Sequence, residues 1–309
     1  MKQNRLFLYS FAFTLIVSFA ACKKDKTADN SSDTEISTHS DDQSIFSSEV
    51  DAISDDADAA LEAGASVSGR EMGVDTVHIS GGYITWNLES DPQTATITYN
   101  GNNIDGTRSR AGVVTVSVAK GTQWKNAGAA VTVNFQSVKV TRLSDNKSVT
   151  LNGTQTYTNV SGGLLKDLSS LQNITHTIAS DGLSITFDNG TQRSWKVAKK
   201  REFSYDNGVV VATSGNHTEG TVANIAEWGT NRFGVAFTTA TVTPLTIRQS
   251  CNFRLTSGSL VHTVGSITAT ATFGLDASGN AVSCPEGNFY YKVVYTGPKG
   301  KSITFILPY

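Results

Sequence analysis

AGVVTVSV (111–118) and AAVTVNFQSVKV (129–140) decide the fold, because apolar and polar residues alternate along both stretches. A period of two puts successive side chains on opposite faces of an extended chain, so each stretch reads as a strand with one face to a core and one to water. The pattern recurs at Ile185-Thr-Phe187, Trp195-Lys-Val197, Val235-Ala-Phe237, Leu260 to Val264 and Ile303 to Leu307. Thr, Val, Tyr and Phe dominate these runs and suit a pleated surface. Asp105-Gly106, Asn152-Gly153, Asp181-Gly182, Asn189-Gly190 and Asn207-Gly208 are the pairs that favour tight hairpins. Residues 73–309 therefore read as one all-β domain, an extended antiparallel sheet or sandwich. Gly-Thr pairs at 106, 153, 190 and 229 hint at repeated hairpin units. Leu164 to Gln172 is the one helical stretch expected within that domain.

Upstream, the chain opens MKQNRLFLYSFAFTLIVSFAAC. Lys2 and Arg5 precede an apolar run from Leu6 to Ala21, the layout of a secretory signal and short for a membrane span. Residues 1–21 are thus expected to be a signal peptide. Phe19-Ala20-Ala21-Cys22 is similar to a bacterial lipobox, which implies lipid on Cys22 and a membrane anchor, each buried methylene contributing about 0.8 kcal/mol. Lys23-Lys24-Asp25 resembles the export signal of surface lipoproteins. The expected location is the outer membrane, at the cell surface or on its periplasmic face.

From Lys23 to Met72 there are 13 acids against 4 bases, and from Gly73 to Tyr309 there are 14 acids against 19 bases. The acidic stretch is rich in Ser, Thr and Asp, so residues 22–72 read as a flexible tether. Within it Val50, Ile53, Ala57, Ala60 and Leu61 recur at helical spacing, enough for one short amphipathic helix.

With Cys22 lipidated, Cys251 and Cys284 remain, and their pairing outside the cytoplasm reads as a disulfide or as two buried thiols. The chain carries no Gly-x-Ser-x-Gly, no His-Glu-x-x-His and no phosphate-binding glycine loop. No residue is assigned a catalytic role, no metal ligand is assigned, and no cofactor is implied. Lys199 and Arg201 share a strand face in the densest basic cluster, where they would touch an anionic glycan or belong to a charged edge strand. Trp124 and Trp228 lie near turns and read as stacking platforms for a sugar. Nucleic acid is not an expected partner.

DGTRSRAGVVTVSV, NAGAAVTVNFQSVKV with LNGTQTYTNV, ITFDNGTQRSWKVAKKREF and GTNRFGVAFTTATVTPLTIRQSCNFRLTSGSLVHTV, closed by SGNAVSCPEGNFYYKVVYTG, together resemble an uncharacterised family of Bacteroidetes outer-membrane lipoproteins. The resemblance covers roughly residues 45–309. It implies an all-β lipoprotein with a Cys251/Cys284 pair and implies no activity. The expected function is surface binding or adhesion with a glycan ligand. A structural or assembly role in the outer membrane is the first rival, and a glycoside-active enzyme the second.

Overall fold

A computed structural model describes residues 30–67, 76–284 and 287–309. The signal peptide 1–21, Cys22 and the export residues Lys23, Lys24 and Asp25 lie outside the described residues.

One antiparallel sheet dominates the molecule. Its strands are β1 Val77–Ile79, β2 Gly82–Asn87, β3 Gln93–Asn102, β4 Arg108–Val118, β5 Ala129–Arg142, β6 Ser148–Asn159, β7 Asn173–Phe187 and β8 Gln192–Tyr205. They continue as β9 Val209–Gly215, β10 His217–Glu219, β11 Val222–Thr230, β12 Ala236–Arg248, β13 Arg254–Val264, β14 Ile267–Leu275, β15 Tyr290–Thr296 and β16 Ser302–Pro308. Each strand mostly pairs with the next, so the sheet is a succession of hairpins. Between β8 and β12 the gap is filled by β9 at one end and β11 at the other. The short helical stretch expected at 164–172 is a 3₁₀ turn, Leu165–Asp167, leading into a single helical turn, Leu168–Leu171.

The acidic segment expected to be a tether is, over Asn30–Val67, a 38-residue helix (α1) that enters the fold. Phe46, Val50, Ile53, Ala57 and Ala60 are fully buried. They pack in one core with Ile97, Val114, Phe135, Leu151 and Trp195 of the sheet. The acids count against burial only where they face no bases, and the inner face of the sheet supplies them at Arg108, Arg110, Lys199 and Arg201. Composition alone does not report that complement.

The sheet curls around α1. Trp86 of β2 donates to the Ala60 carbonyl at 3.1 Å, Tyr157 of β6 meets Ser54 at 2.7 Å, and His262 of β13 meets His39 at 3.1 Å. A helix is about 10–12 Å across. His39 meets His262 of β13, and Asp41, two residues on, bonds Arg142 of β5; those strands are six spacings apart, roughly 29 Å if flat, so the sheet curls round the helix.

Bulges produce much of the bend. Register shifts fall between Ala111 and Val113 in β4, Phe135 and Val138 in β5, Asn152 and Thr156 in β6, and Ser180 and Leu183 in β7. They form a continuous line, because Ser137 N–H donates to the Asn152 side chain at 2.8 Å. Bulges bend a strand and raise its twist. Gly112 sits in this line at φ +124°, where a Cβ would lie 2.5 Å from the Ser137 carbonyl oxygen. Two Asx-Gly pairs read as hairpin turns, Asn152-Gly153 and Asp181-Gly182, belong to this line instead, whereas 105–106, 189–190 and 207–208 do turn hairpins. The Gly-Thr pairs likewise fall at unlike places, two at turns and those at 153 and 229 inside β6 and β11.

Candidate binding groove

Along α1 the acids form a ladder with the inner face of the sheet. Glu49, fully buried, accepts from Arg108 Nη1 and Arg110 Nε at 2.7 Å each. Asp56 accepts from Tyr99 Oη at 2.7 Å, with Arg110 at 3.7 Å. Burial pushes the Asp56 carboxyl up to about 7, against the pull of Arg110 and Tyr99. Arg201 bonds Asp55 at 2.5 Å and Asp58 at 3.3 Å. Lys199 sits between Asp51 at 2.7 Å and Glu227 at 2.8 Å. Burial opposes the ammonium charge, but the two carboxylates outweigh it and hold the lysine pKa above its ordinary value. Gln43 and Ser47 also donate to Glu227. At the other end of the helix Asp42 takes Arg232 at 2.6 Å. An arrangement of this kind contributes little net stability relative to an apolar substitute, yet removing one partner leaves a buried charge alone.

Beyond Glu227 a cavity of about 270 Å³ opens between α1 and β12–β16. Its sheet wall is built from cross-strand rows. Thr241, Leu260, Ala271, Val293 and Phe305 stand opposite one another across β12 to β16. Thr239, His262, Ala269, Tyr295 and Ile303 form the next row, and Phe237, Val264 and Ile267 the third. The opposite wall is the Ser40, Gln43, Ser44 and Ser47 face of α1. The groove is therefore apolar on the sheet side and polar on the helix side, a common character of small-ligand sites, though just below their roughly 300–1,000 Å³ range.

Gln43 and His39 line this space, and Gln43 Oε1 and His39 Nδ1, both buried, have no hydrogen-bond partner among the described residues. His39 is the first member of a relay in which its Nε2 meets His262 Nε2 at 3.1 Å and His262 Nδ1 meets Thr239 Oγ1 at 2.8 Å. Burial lowers His39 to about 3 and His262 to about 4, so both rings are neutral at pH 7. The relay then leaves His39 Nδ1 as donor or acceptor according to which way the Thr239 hydroxyl points.

The residues singled out for glycan contact are placed as follows. Lys199 and Arg201 do share a face, but it is the buried one, and both are taken up by α1. Their strand β8 is no edge, since β7 flanks it on one side and β9 and β11 on the other. Trp124 is 3 % exposed and packs against His176 at 5.0 Å between ring centres, because the turn that carries it folds over the end of the sheet. Trp228 alone stays at the surface. It lies within β11, stacks flat on His217 at 4.2 Å, and has Lys196 Nζ at 6.0 Å. The groove residues Gln43, His39 and His262 were not legible as a site. His262 reads as one strand residue among many, and its partner lies 223 positions away.

Cys251 and Cys284 form a disulfide, with Cα atoms 5.7 Å apart. Among the described residues no cluster of three or more His, Cys, Asp or Glu is placed to hold a metal ion. No helix among them is long and apolar enough to cross a membrane. The chain matches no protein-family model, no curated protein and no solved structure.

Proposed function

We propose that this chain is a cell-envelope lipoprotein, anchored through Cys22, whose β-domain binds the acyl chain of an amphiphile in the groove between α1 and β12–β16. The register of the apolar rows carries this reading, since Leu260, Ala271, Val293 and Phe305 line up across four strands and face α1 across the groove. Such a wall, half-buried beside an open space, is a ligand groove or an interface. The polar wall narrows the class of head group. Lys199 and Arg201 are neutralised by Asp51, Glu227, Asp55 and Asp58, so no free base greets a carboxylate. Gln43 and the neutral His39 stand on this wall, which favours an uncharged head with hydroxyl or amide groups. The role is binding or carriage, without catalysis.

Displacement of an apolar fluorescent dye from the purified protein tests this. A long-chain monoacylglycerol should displace it better than the matching fatty acid at pH 7, and Ala269→Trp, which fills the half-exposed middle of the groove, should abolish dye binding without lowering the melting temperature. Dye binding that survives Ala269→Trp would sink the reading. A glycan reading keeps one observation in its favour, the Trp228–His217 stack with Lys196 beside it. Glycan-array binding lost in Trp228→Ala and kept in Ala269→Trp would move the function there.

A further inference from the structure

The groove lining reaches one rim of the sheet at Ile36, Val264 and Ile267, and that rim has the chemistry of a lipid surface's partner. The antiparallel pairing puts three hairpin turns at this end: 231–235 between β11 and β12, 265–266 between β13 and β14, and 297–301 between β15 and β16. Phe233 and Val235 on the first turn are 41 % and 38 % exposed. Ile303, which follows the third turn, is 56 % exposed and continues the inner row of Tyr295. Phe305, next along the same face, lines the groove and is still 38 % exposed. The third turn carries Lys299 and Lys301, both exposed, and residues 287–309 contain three lysines and no acid. Scattered apolar side chains need no explanation, but here they share one rim with the lysines and with the mouth of an apolar groove.

The chain's own course points the same way. Ile36 lines the groove beside Val264 and Ile267, and Asp42 bonds Arg232 of the first turn, so α1 begins at this rim. Cys22 precedes Asn30 by 8 residues, a reach of at most about 29 Å when fully extended. A lipid on Cys22 would hold this rim, and not the opposite end of the sheet, toward the bilayer.

We propose that the rim formed by the 231–235 and 297–301 turns with the open edge β16 docks on an anionic lipid surface. Phe233, Val235 and Ile303 enter the interface, Lys299 and Lys301 meet the head groups, and the groove mouth faces the bilayer from which an acyl chain enters. This rests on the groove reading above. Each basic residue near an anionic leaflet adds attraction, and the apolar side chains add burial.

The test uses the full chain purified in detergent and reconstituted into vesicles of phosphatidylcholine with or without phosphatidylglycerol. Ile303→Cys carries a polarity-sensitive fluorophore, selective because Cys251 and Cys284 are bonded to each other and the lipid on Cys22 blocks its sulfur. Val160→Cys, 47 % exposed at the opposite end of the sheet, serves as reference. The expected result is a blue shift and quenching by spin-labelled lipid at position 303 and not at 160, stronger with phosphatidylglycerol and lost in Lys299→Glu/Lys301→Glu. Equal signals at both positions, or none at 303, would overturn the proposal. A shift at 303 that follows protein concentration without lipid would also overturn it, because β16 would then be pairing with a second copy of the chain. Dye binding by the wild type separates the two readings. Wild-type protein that docks but binds no acyl dye keeps the rim and loses the groove, and wild-type protein that binds dye without docking keeps the groove and loses the rim.

Discussion

Glu49 is the side chain on which the join between helix and sheet depends most. It has no access to water and serves two arginines at once. Glu49→Gln keeps the shape and removes the charge, leaving Arg108 and Arg110 buried without it, a change that costs about 3–5 kcal/mol. Lys200→Ala, which breaks a pair with Glu202 at the surface, should shift stability by under about 1 kcal/mol. Urea unfolding of the two variants beside wild type checks the contrast. Two buried groups give opposite pH dependences. Asp56 is raised to about 7 in the fold against 3.8 unfolded, so its contribution is full below 3.8 and is lost as pH rises toward 7. His262 is lowered to about 4 against 6.5 unfolded, so its contribution is present above 6.5 and lost as pH falls toward 4. Between pH 4 and 6.5, Asp56→Asn should therefore make stability fall more steeply on acidification, and His262→Gln should make it fall less. Unfolding midpoints at several pH values in that window decide it, and equal slopes in wild type and both variants would contradict the assignments.

At the scale of elements, α1 behaves as the core's central member. Phe46 lies edge-on to Trp195 at 4.9 Å and has no solvent exposure. Phe46→Ala should cost about 3–5 kcal/mol, the usual range for a buried phenylalanine, measured by denaturant midpoint. Amide exchange over residues 45–61 should be as slow as in β5. Rapid exchange there would return the segment to the tether that its composition suggests. The strands were legible because a period of two is written in the local sequence, as at 114–118 and 131–135. The apolar spacing of Val50, Ile53, Ala57, Ala60 and Leu61 was legible as a helix face. The length of that helix and its burial were not, because Glu49 and Asp55 read as solvated until their partners at 108, 110 and 201 are brought beside them by the curl. Trp124 and Lys199 misled for the same reason, as local sequence tells which face a residue is on but not which face is inside. Asn152-Gly153 shows the limit for turns, since the dipeptide that closes a hairpin also suits a bulge.

The whole molecule is asymmetric. From β2 to β11 the curled sheet is filled by α1, while from β12 to β16 the same concave face carries apolar rows over a space of about 270 Å³. The disulfide spans the strands of this emptier half, closing a loop that contains β13 and β14. Replacing Cys251 and Cys284 by Ser should lower stability by about 3–4 kcal/mol on the loop-entropy account, and dye binding in the groove should weaken with it. This concave half is the proposed site for an acyl chain. The most direct measurement is photocrosslinking with a monoacylglycerol that carries a diazirine in its chain, followed by peptide mapping. Labels on residues 254–275 and 290–309, lost in Ala269→Trp, are the predicted result; labels confined to the outer face around Trp228, or unchanged by Ala269→Trp, would contradict it.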